Sequence, residues 1–485
     1  MGQVATVSTG PDPGVSHRRD WLLVMAAATV TAGLALYHLG TPSLWADEGH
    51  SAYGVTGTWS QYGRTLTFEP NFALYHSLLR LWTRLGSSEV VLRLPSVAFA
   101  TATVPTVFAV ARRLFGRRAA AIATVLVAVN VLVVGYGREC RPYAMVGFTS
   151  TLSSLLFLRA LERPGSRRWT VWALGGALVA LSHPIGLTVL VAQLLALLLR
   201  WRTVPWGELL HGAQESLILV ILLTLLLIRV GPARLSWIPP PSRAQFVEVM
   251  EDVAGRHGPL PLVADVIAAG GAVVAALRTG RKRGPLRWAT AFTLCWLAVP
   301  IGATVLVSVA QPFLISRYLI VVVPPLAILV GAGAAQLRPR WAAVAGLGLV
   351  ALAAPTHVGV PVSPRDDWRW AVATVQARAE PGDIVVVTPF GQQAFRYYVR
   401  VRAAGTPAIP VLAAGRFVGA VTSGDAGCVG RVWVALRAIP DSPAVTDVLG
   451  DVHVVDTFHR GLLRVVLYEP DFGSPGVGGP PGSCP

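Results

Sequence analysis

Long apolar runs, separated by short arginine-bearing links, dominate the chain. They occupy roughly Trp21 to Leu39, Val90 to Ala111, Ala119 to Tyr136, Tyr143 to Leu161, Trp169 to Ser182, Ile185 to Leu199, Ser216 to Ile228, Leu260 to Leu277, Trp288 to Ala310, Leu319 to Gln336 and Trp341 to Ala354. Runs of this length and purity suit the hydrocarbon core of a bilayer, so about eleven transmembrane helices are predicted. Asn71 to Leu85 breaks the pattern. His76, Arg80 and Arg84 recur there every fourth residue, with Phe72, Leu78, Leu79 and Trp82 elsewhere on the helix. That is a basic amphipathic helix, too short and polar to cross, and it is expected to lie in the outer membrane interface.

After residue 355 the period changes. Asp366 to Ala379 and Gln392 to Val401 read as helices, and Asp383 to Thr388, Val432 to Leu436, Val452 to Thr457 and Leu463 to Tyr468 as strands. The predicted architecture is an all-α polytopic membrane domain with a small α/β C-terminal domain. Its expected boundaries are an N-terminal tail at 1–20, a membrane domain at 21–355 with a first loop at 40–89, an α/β domain at 356–472 and a disordered Gly/Pro tail at 473–485. No internal repeat is evident.

The charge pattern sets the topology. A net charge of +16 in a soluble protein would suggest nucleic acid, but only 14% of residues are charged and mean hydropathy is +0.56. The basic residues fall in tight clusters: Arg112, Arg113, Arg117 and Arg118; Arg163, Arg167 and Arg168; Arg200 and Arg202; Arg278, Arg281, Lys282 and Arg283; Arg338 and Arg340. With Asn71 to Leu85 left uncounted, all five share the side of the N-terminus, which the positive-inside rule makes cytoplasmic. Counting it as a span would move the Arg112 cluster outside. The expected location is the plasma membrane, with the N-terminus cytoplasmic and the C-terminal domain extracytoplasmic. The first span has the charge order of a signal but reads as uncleaved. The four cysteines show no metal or redox spacing; Cys428 and Cys484 could pair if the tail domain is outside.

The extracytoplasmic loops then hold Asp47, Glu48 and Glu69 in the first, Arg138 and Arg141 in the second, His183 in the third, Arg234 in the fourth and Arg317 in the fifth. Transfer of an activated group to a hydroxyl needs a carboxylate to take the proton and cations to hold charge on a departing phosphate. Both meet on this side. Asp47 and Glu48 point about 100° apart on a helix, so only one can be the base. Bland alternatives stand beside each residue. Asp47 could cap a helix starting at Glu48, Glu69 could satisfy free N–H groups at a helix start, and Arg138 and Arg141 could snorkel and pair with Glu139. Arg317 could likewise be an interfacial arginine, His183 a helix-end histidine, and Asp366-Asp367-Trp368 a helix cap.

Leu44-Trp-Ala-Asp-Glu-Gly, Phe68-Glu-Pro-Asn-Phe-Ala-Leu-Tyr, Arg93-Leu-Pro-Ser, Ala111-Arg-Arg-Leu-Phe-Gly-Arg-Arg and Arg138-Glu-Cys-Arg-Pro-Tyr-Ala-Met resemble the successive landmarks of GT-C glycosyltransferases. The resemblance is to bacterial relatives of protein O-mannosyltransferases and of the lipid A aminoarabinose transferase. It covers Trp21 to Arg200 well, the Arg317-Tyr318 span moderately and the tail weakly. It implies an inverting transferase using a polyprenyl-phosphate-linked sugar, mannose as first guess, at the outer face. Asp47 and Glu48 would be catalytic. Glu69, Arg138, Arg141, Tyr143, His183, Arg317 and Tyr318 would bind substrate, with Arg141 and Arg317 on the lipid phosphate. Glu-Pro-Asn-Phe departs from the Pro-Pro-Leu pattern that relatives carry after the acidic residue or histidine. The acceptor would be a protein, a glycolipid or a cell-wall glycan, with membrane lipid but no nucleic acid as a further partner. No cofactor is indicated and no metal ligand is assigned, although the acidic pair leaves a divalent cation open. The alternatives from other classes are a transporter or flippase of lipid-linked sugars, which would favour ionisable groups at the membrane midplane and repeated halves, and an assembly or sensor protein independent of Asp47.

Overall fold

The computed structural model describes residues 13–212, 214, 238, 240–255, 259–278, 284–353, 366–388, 391–402, 410–413, 416, 431–437 and 452–470. Outside them lie the expected span from Ser216 to Ile228, Arg234, Arg281, Lys282, Arg283, Cys428, Cys484 and the tail at 473–485. The chain divides into two compact units. The first comprises Met1–Tyr37, Glu69–Leu79 and Arg93–Val360; the second, His38–Phe68, Arg80–Leu92 and Pro361–Pro485.

The first unit is helical. Among the described residues, six helices are long and apolar enough to cross a membrane: Arg18–Leu36, Glu89–Phe115, Tyr143–Glu162, Pro259–Arg278, Gly284–Ala310 and Ser316–Ala334. A seventh candidate is the pair Arg117–Ala128 and Val131–Gly137, bent by 50° at a short break. Asn130 sits at that break and caps the second helix by accepting the N–H groups of Leu132 and Val133. Ser166–Ser182, Gly186–Leu198 and Pro339–Ala353 were also read as spans. They have 17, 13 and 15 residues, and at about 1.5 Å per residue each falls short of the roughly 30 Å hydrocarbon thickness. These three, with the run at 216–228, account for the difference from the expected eleven.

Ser316–Ala334 is the axis of the unit, with 94% of its most apolar window buried. It begins as a 3-10 turn, Ser316–Val322, and continues as the α-helix Val323–Ala334. Small residues let neighbours press against it. A Cβ on Gly333 would overlap the carbonyl of Ala268, and one on Gly331 would meet the Ala119 carbonyl and Ala123. Without a hydrophobic drive between helices in lipid, such close backbone approach is what helix pairing rests on. At the start of the first helix, the buried Asp20 pairs with Arg112, 2.9 Å away, and with Arg117. Arg113 meets Glu162 at 3.3 Å. The Arg112 cluster, the start of the first helix and the close of Tyr143–Glu162 therefore share one end of the bundle.

The second unit contains the mixed α/β fold expected of the tail. Its strands are β1 (Ile384–Val387), β2 (Val411–Ala413), β3 (Val432–Arg437), β4 (Val452–Arg460) and β5 (Leu463–Pro470), in the order β2-β1-β3-β5-β4. β1 runs parallel to β2 and β3, with Val386 opposite Val434, while β5 is antiparallel to β3 and β4, with Val434 opposite Val466. Val386, Val432, Val434, Leu436, Val466 and Tyr468 form the core of one face. Two helices accompany the sheet, Trp368–Gln376 and Gln392–Arg402. Asp367 caps the first by accepting the Trp370 N–H at 3.0 Å, as read from the sequence.

Candidate active site

In the first unit, residues distant in sequence converge at the end of the bundle opposite the Arg112 cluster. The 3-10 turn Pro70–Phe72 supplies Glu69 and Phe72; the turn ahead of Tyr143–Glu162 supplies Arg141 and Tyr143; the link after Ser166–Ser182 supplies His183; the turn at Ser316–Val322 supplies Arg317 and Tyr318. Six of the nine residues singled out in the sequence meet here: Glu69, Arg141, Tyr143, His183, Arg317 and Tyr318.

Glu69 and Arg141 form the charged centre. Two parallel N–H···O bonds of 3.0 and 2.9 Å join them, the fork geometry in which a guanidinium matches a carboxylate. Glu69 therefore does not cap the turn that follows it; no cap bond from its side chain forms. The Arg141 side chain is 3% exposed and lies over the Phe72 ring at 4.7 Å. Its carbonyl accepts from Ser96 Oγ, which is joined to the Tyr75 hydroxyl. His76 is wholly buried, 3.6 Å from Glu69, so it belongs to this interior and not to an exposed basic stripe. Arg80, its neighbour on the same helix, lies in the second unit, where it donates to the carbonyls of Val55 and Gly57 and covers Trp59.

Aromatic rings wall the charged pair. His183 lies 5.3 Å from Phe72, 5.8 Å from Tyr143 and 5.3 Å from Tyr318, and Arg317 stands over Tyr143 and Tyr318 at 5.7 and 6.0 Å. Tyr136 and Phe313 close the box, at 5.1 Å from Tyr143 and 4.4 Å from Tyr318. His183 is the helix-end histidine expected, but its surroundings add to that role. Its Nδ1 accepts the Ile185 N–H, which leaves the proton of the neutral ring on Nε2. Nε2 is buried without a hydrogen-bond partner. Burial first, then the positive charges of Arg141 and Arg317, push its pKa down to about 3 despite the opposing Glu69. The ring is thus a neutral N–H donor across the physiological range.

Phe72, Tyr136 and Phe313 were not singled out in the sequence, because an aromatic residue in an apolar run carries no separate signal. Asp252 was also missed. It lies on the helix Arg243–Val253, accepts from the Ser316 hydroxyl next to Arg317, and shares that helix with Gln245, which donates to the Leu314 carbonyl at 2.8 Å. Together they hold the Arg317 turn. Arg138 stands apart from this group. Its guanidinium donates to the Tyr37 carbonyl at 2.9 Å, and burial and the adjacent Arg93 lower its pKa.

In the second unit, Asp47 and Glu48 occupy the first turn of the helix Ala46–Val55, where carboxylates oppose the partial positive charge of the helix N-terminus. The helix starts at Ala46 with Trp45 as its cap, so Asp47 is not the capping residue. Glu48 is buried and Asp47 half-buried. The helix lies tight against Gln392–Arg402; a Cβ on Gly49 would overlap Ala394. The segment before it is pinned by Tyr398, whose hydroxyl accepts the Leu44 N–H at 2.7 Å and donates to Glu89 at 2.6 Å. Glu89 in turn receives Arg369, at 2.9 and 2.6 Å. None of these anchors was read as part of the site. Among the described residues, no three His, Cys, Asp or Glu side chains are grouped as metal ligands.

A bundle of apolar helices with an α/β domain, and an arginine-lined aromatic box at helix ends, define the class of a polytopic membrane protein with a built polar site. Comparison narrows it. Residues 69–228 match the family model described as dolichyl-phosphate-mannose-protein mannosyltransferase, a stretch that includes Glu69, Arg138, Arg141, Tyr143 and His183. The fold is similar to that of ArnT from Cupriavidus metallidurans, solved bound to undecaprenyl phosphate (TM-score 0.60, 15% identity, 95% of this chain and 99% of that one). The apo structure of the same protein gives a TM-score of 0.60 at 14% identity, over 96% and 100% of the two chains. The apo oligosaccharyltransferase of Archaeoglobus fulgidus is a further structural relative (TM-score 0.53, 12% identity, 86% of this chain and 69% of that one). No curated protein sequence matches the chain. The chain resembles GT-C glycosyltransferases, in fold over nearly its whole length and in sequence over the matched stretch, as its landmarks led one to expect.

Proposed function

We propose that this protein is a membrane glycosyltransferase that moves a sugar, mannose or a relative, from a polyprenyl-phosphate carrier to a hydroxyl of an extracytoplasmic protein, glycolipid or cell-wall glycan. The observation that carries this reading is the aromatic box. Two guanidinium groups and a neutral imidazole N–H gather there beside the Glu69 carboxylate, donors suited to the oxygens of a phosphate. The rings offer faces on which a sugar can stack. ArnT was solved with undecaprenyl phosphate, which supports a lipid phosphate as the ligand class.

In the proposed single displacement, Asp47 takes the proton from the acceptor hydroxyl as it attacks the anomeric carbon, and the bond from that carbon to the phosphate oxygen breaks. Glu48 orients the acceptor. Arg317 holds the departing phosphate, Arg141 adds charge to it while remaining fixed by Glu69, and the His183 N–H donates to an oxygen of the same group. Tyr143 and Tyr318 are the stacking surfaces and set the direction of the Arg317 fork.

The direct test is donor affinity. Arg317→Ala should weaken retention of polyprenyl phosphate about tenfold or more, with Arg317→Lys intermediate because it keeps charge and loses the fork. Equal retention by wild type and Arg317→Ala would remove this residue from the phosphate site.

A further inference from the structure

An arginine-lined cavity lies at the other end of the same helices. Its volume is about 940 Å³, and it is lined by Arg200, Arg202 and Arg287 together with Trp201, Trp288 and Leu199. Tyr143–Glu162 begins at the aromatic box and ends at this cavity through Leu161; Gly186–Leu198 starts just after His183 and ends beside Arg200. Gly284–Ala310 begins at the cavity and runs towards Phe313. At about 1.5 Å per residue the 13-residue helix Gly186–Leu198 and the 20-residue helix Tyr143–Glu162 span roughly 20 and 30 Å, so the cavity and the box lie at opposite ends of the bundle.

The chemistry of the lining is one-sided. Arg200 stands over Trp288 at 4.2 Å and Arg202 over Trp201 at 5.2 Å. Arg287 donates to the carbonyls of Ala276 and Leu277. Among the described residues, no acidic side chain lines the cavity. Glu162, adjacent to the lining residue Leu161, is paired with Arg113. Burial lowers the pKa of Arg200, although the group stays charged. Guanidinium groups stacked on indoles are held in place without having their donors satisfied, which prepares them for an anion.

The approach is apolar. Leu194, Leu195, Leu198 and Leu199, on and just past the helix Gly186–Leu198, are 39 to 59% exposed, and Trp201 is 57% exposed. A soluble anion gains nothing from this row, whereas acyl chains do. Tryptophan beside arginine at a helix end is also the composition of a membrane interface. We propose that this cavity binds the headgroup of an anionic phospholipid, with its phosphate on Arg200 and Arg202 and its acyl chains along the exposed leucines of Gly186–Leu198.

The test uses the full-length protein, purified in detergent and exchanged into phosphatidylglycerol or phosphatidylcholine, with retained lipid counted by native mass spectrometry. Wild type should retain phosphatidylglycerol in preference to phosphatidylcholine. Arg202→Gln should weaken that retention roughly fivefold and Arg200→Gln/Arg202→Gln roughly thirtyfold, while Arg200→Lys/Arg202→Lys keeps most of it. Arg202 is exposed and its replacement leaves the packing intact, so the single variant reads the site even where the double one unfolds. Equal retention of the two lipids by wild type, undiminished phosphatidylglycerol on Arg202→Gln, or full displacement of the lipid by millimolar inorganic phosphate would overturn the proposal.

Discussion

Replacing Glu69 with Gln tests the charged centre of the aromatic box. The substitution keeps the shape of the side chain and removes its charge. It leaves the Arg141 guanidinium, whose side chain is 3% exposed, without the carboxylate that now meets it through two bonds of 3.0 and 2.9 Å. The Arg141 side chain is almost wholly buried, which leaves little room for water to take the place of that carboxylate. Breaking a buried ion pair from one side costs about 3–5 kcal/mol, mostly the penalty of the stranded charge. Glu69→Gln should therefore lower unfolding free energy by about that amount, measured by thermal and denaturant unfolding in detergent. Arg141→Met in the same background removes the stranded charge and should restore a large part of the loss, so the double variant should be far more stable than the sum of the two single effects. A loss under about 1 kcal/mol for Glu69→Gln, or strict additivity in the cycle, would show that the pair is not the buried, mutually dependent unit described here.

Other substitutions probe the surroundings. Tyr398→Phe strands the buried Leu44 N–H and removes a donor from Glu89, and should cost about 1–3 kcal/mol in unfolding experiments. An unchanged stability would free the Leu44 segment from that anchor. His183 predicts a pH dependence. Its folded pKa of about 3 lies below the ordinary value of 6.5, so as pH falls through 6.5 the unfolded chain takes up a proton that the folded one refuses. Stability should drop by about 1.4 kcal/mol per pH unit between roughly 6 and 3 from this group, and His183→Gln should remove that component. A slope identical in wild type and variant would mean that the ring is protonated in place.

The apolar periodicity, the α/β tail and four of its five strands were legible because each rests on local pattern: long apolar runs for the helices, β-branched runs such as Ile384–Val387 for the strands. β2 has only three residues, Val411–Ala413, too few for alternation to register. The number of spans was harder. Hydropathy marks Gly186–Leu198 as apolar but does not say that a helix of 13 residues is short of a bilayer. Sidedness read off the arginine clusters put Glu69, Arg141, His183 and Arg317 in loops of one side, and the structure gathers these four with Tyr143 and Tyr318 at one end of the bundle. What sidedness could not supply was pairing. Glu69 was read as a helix-start carboxylate or a substrate-binding residue, and its bond to Arg141, 72 positions away, has no local sign. Nor could the burial of His76 be read from its spacing with Arg80 and Arg84, since a four-residue repeat marks a face without saying what covers it. Asp252, Tyr398 and Glu89 act through long-range contacts alone and were invisible for the same reason.

The role proposed for Asp47, removal of a proton from a hydroxyl acceptor during sugar transfer, is open to a direct kinetic test. Asp47→Asn, purified as a folded protein, should be compared with wild type for transfer of labelled sugar from a polyprenyl-phosphate donor, with donor affinity measured in parallel. The expected transfer rate is lower by roughly 10²–10⁴-fold, the contribution of a positioned general base, with donor affinity changed less than about twofold. Transfer at the wild-type rate by Asp47→Asn would contradict it.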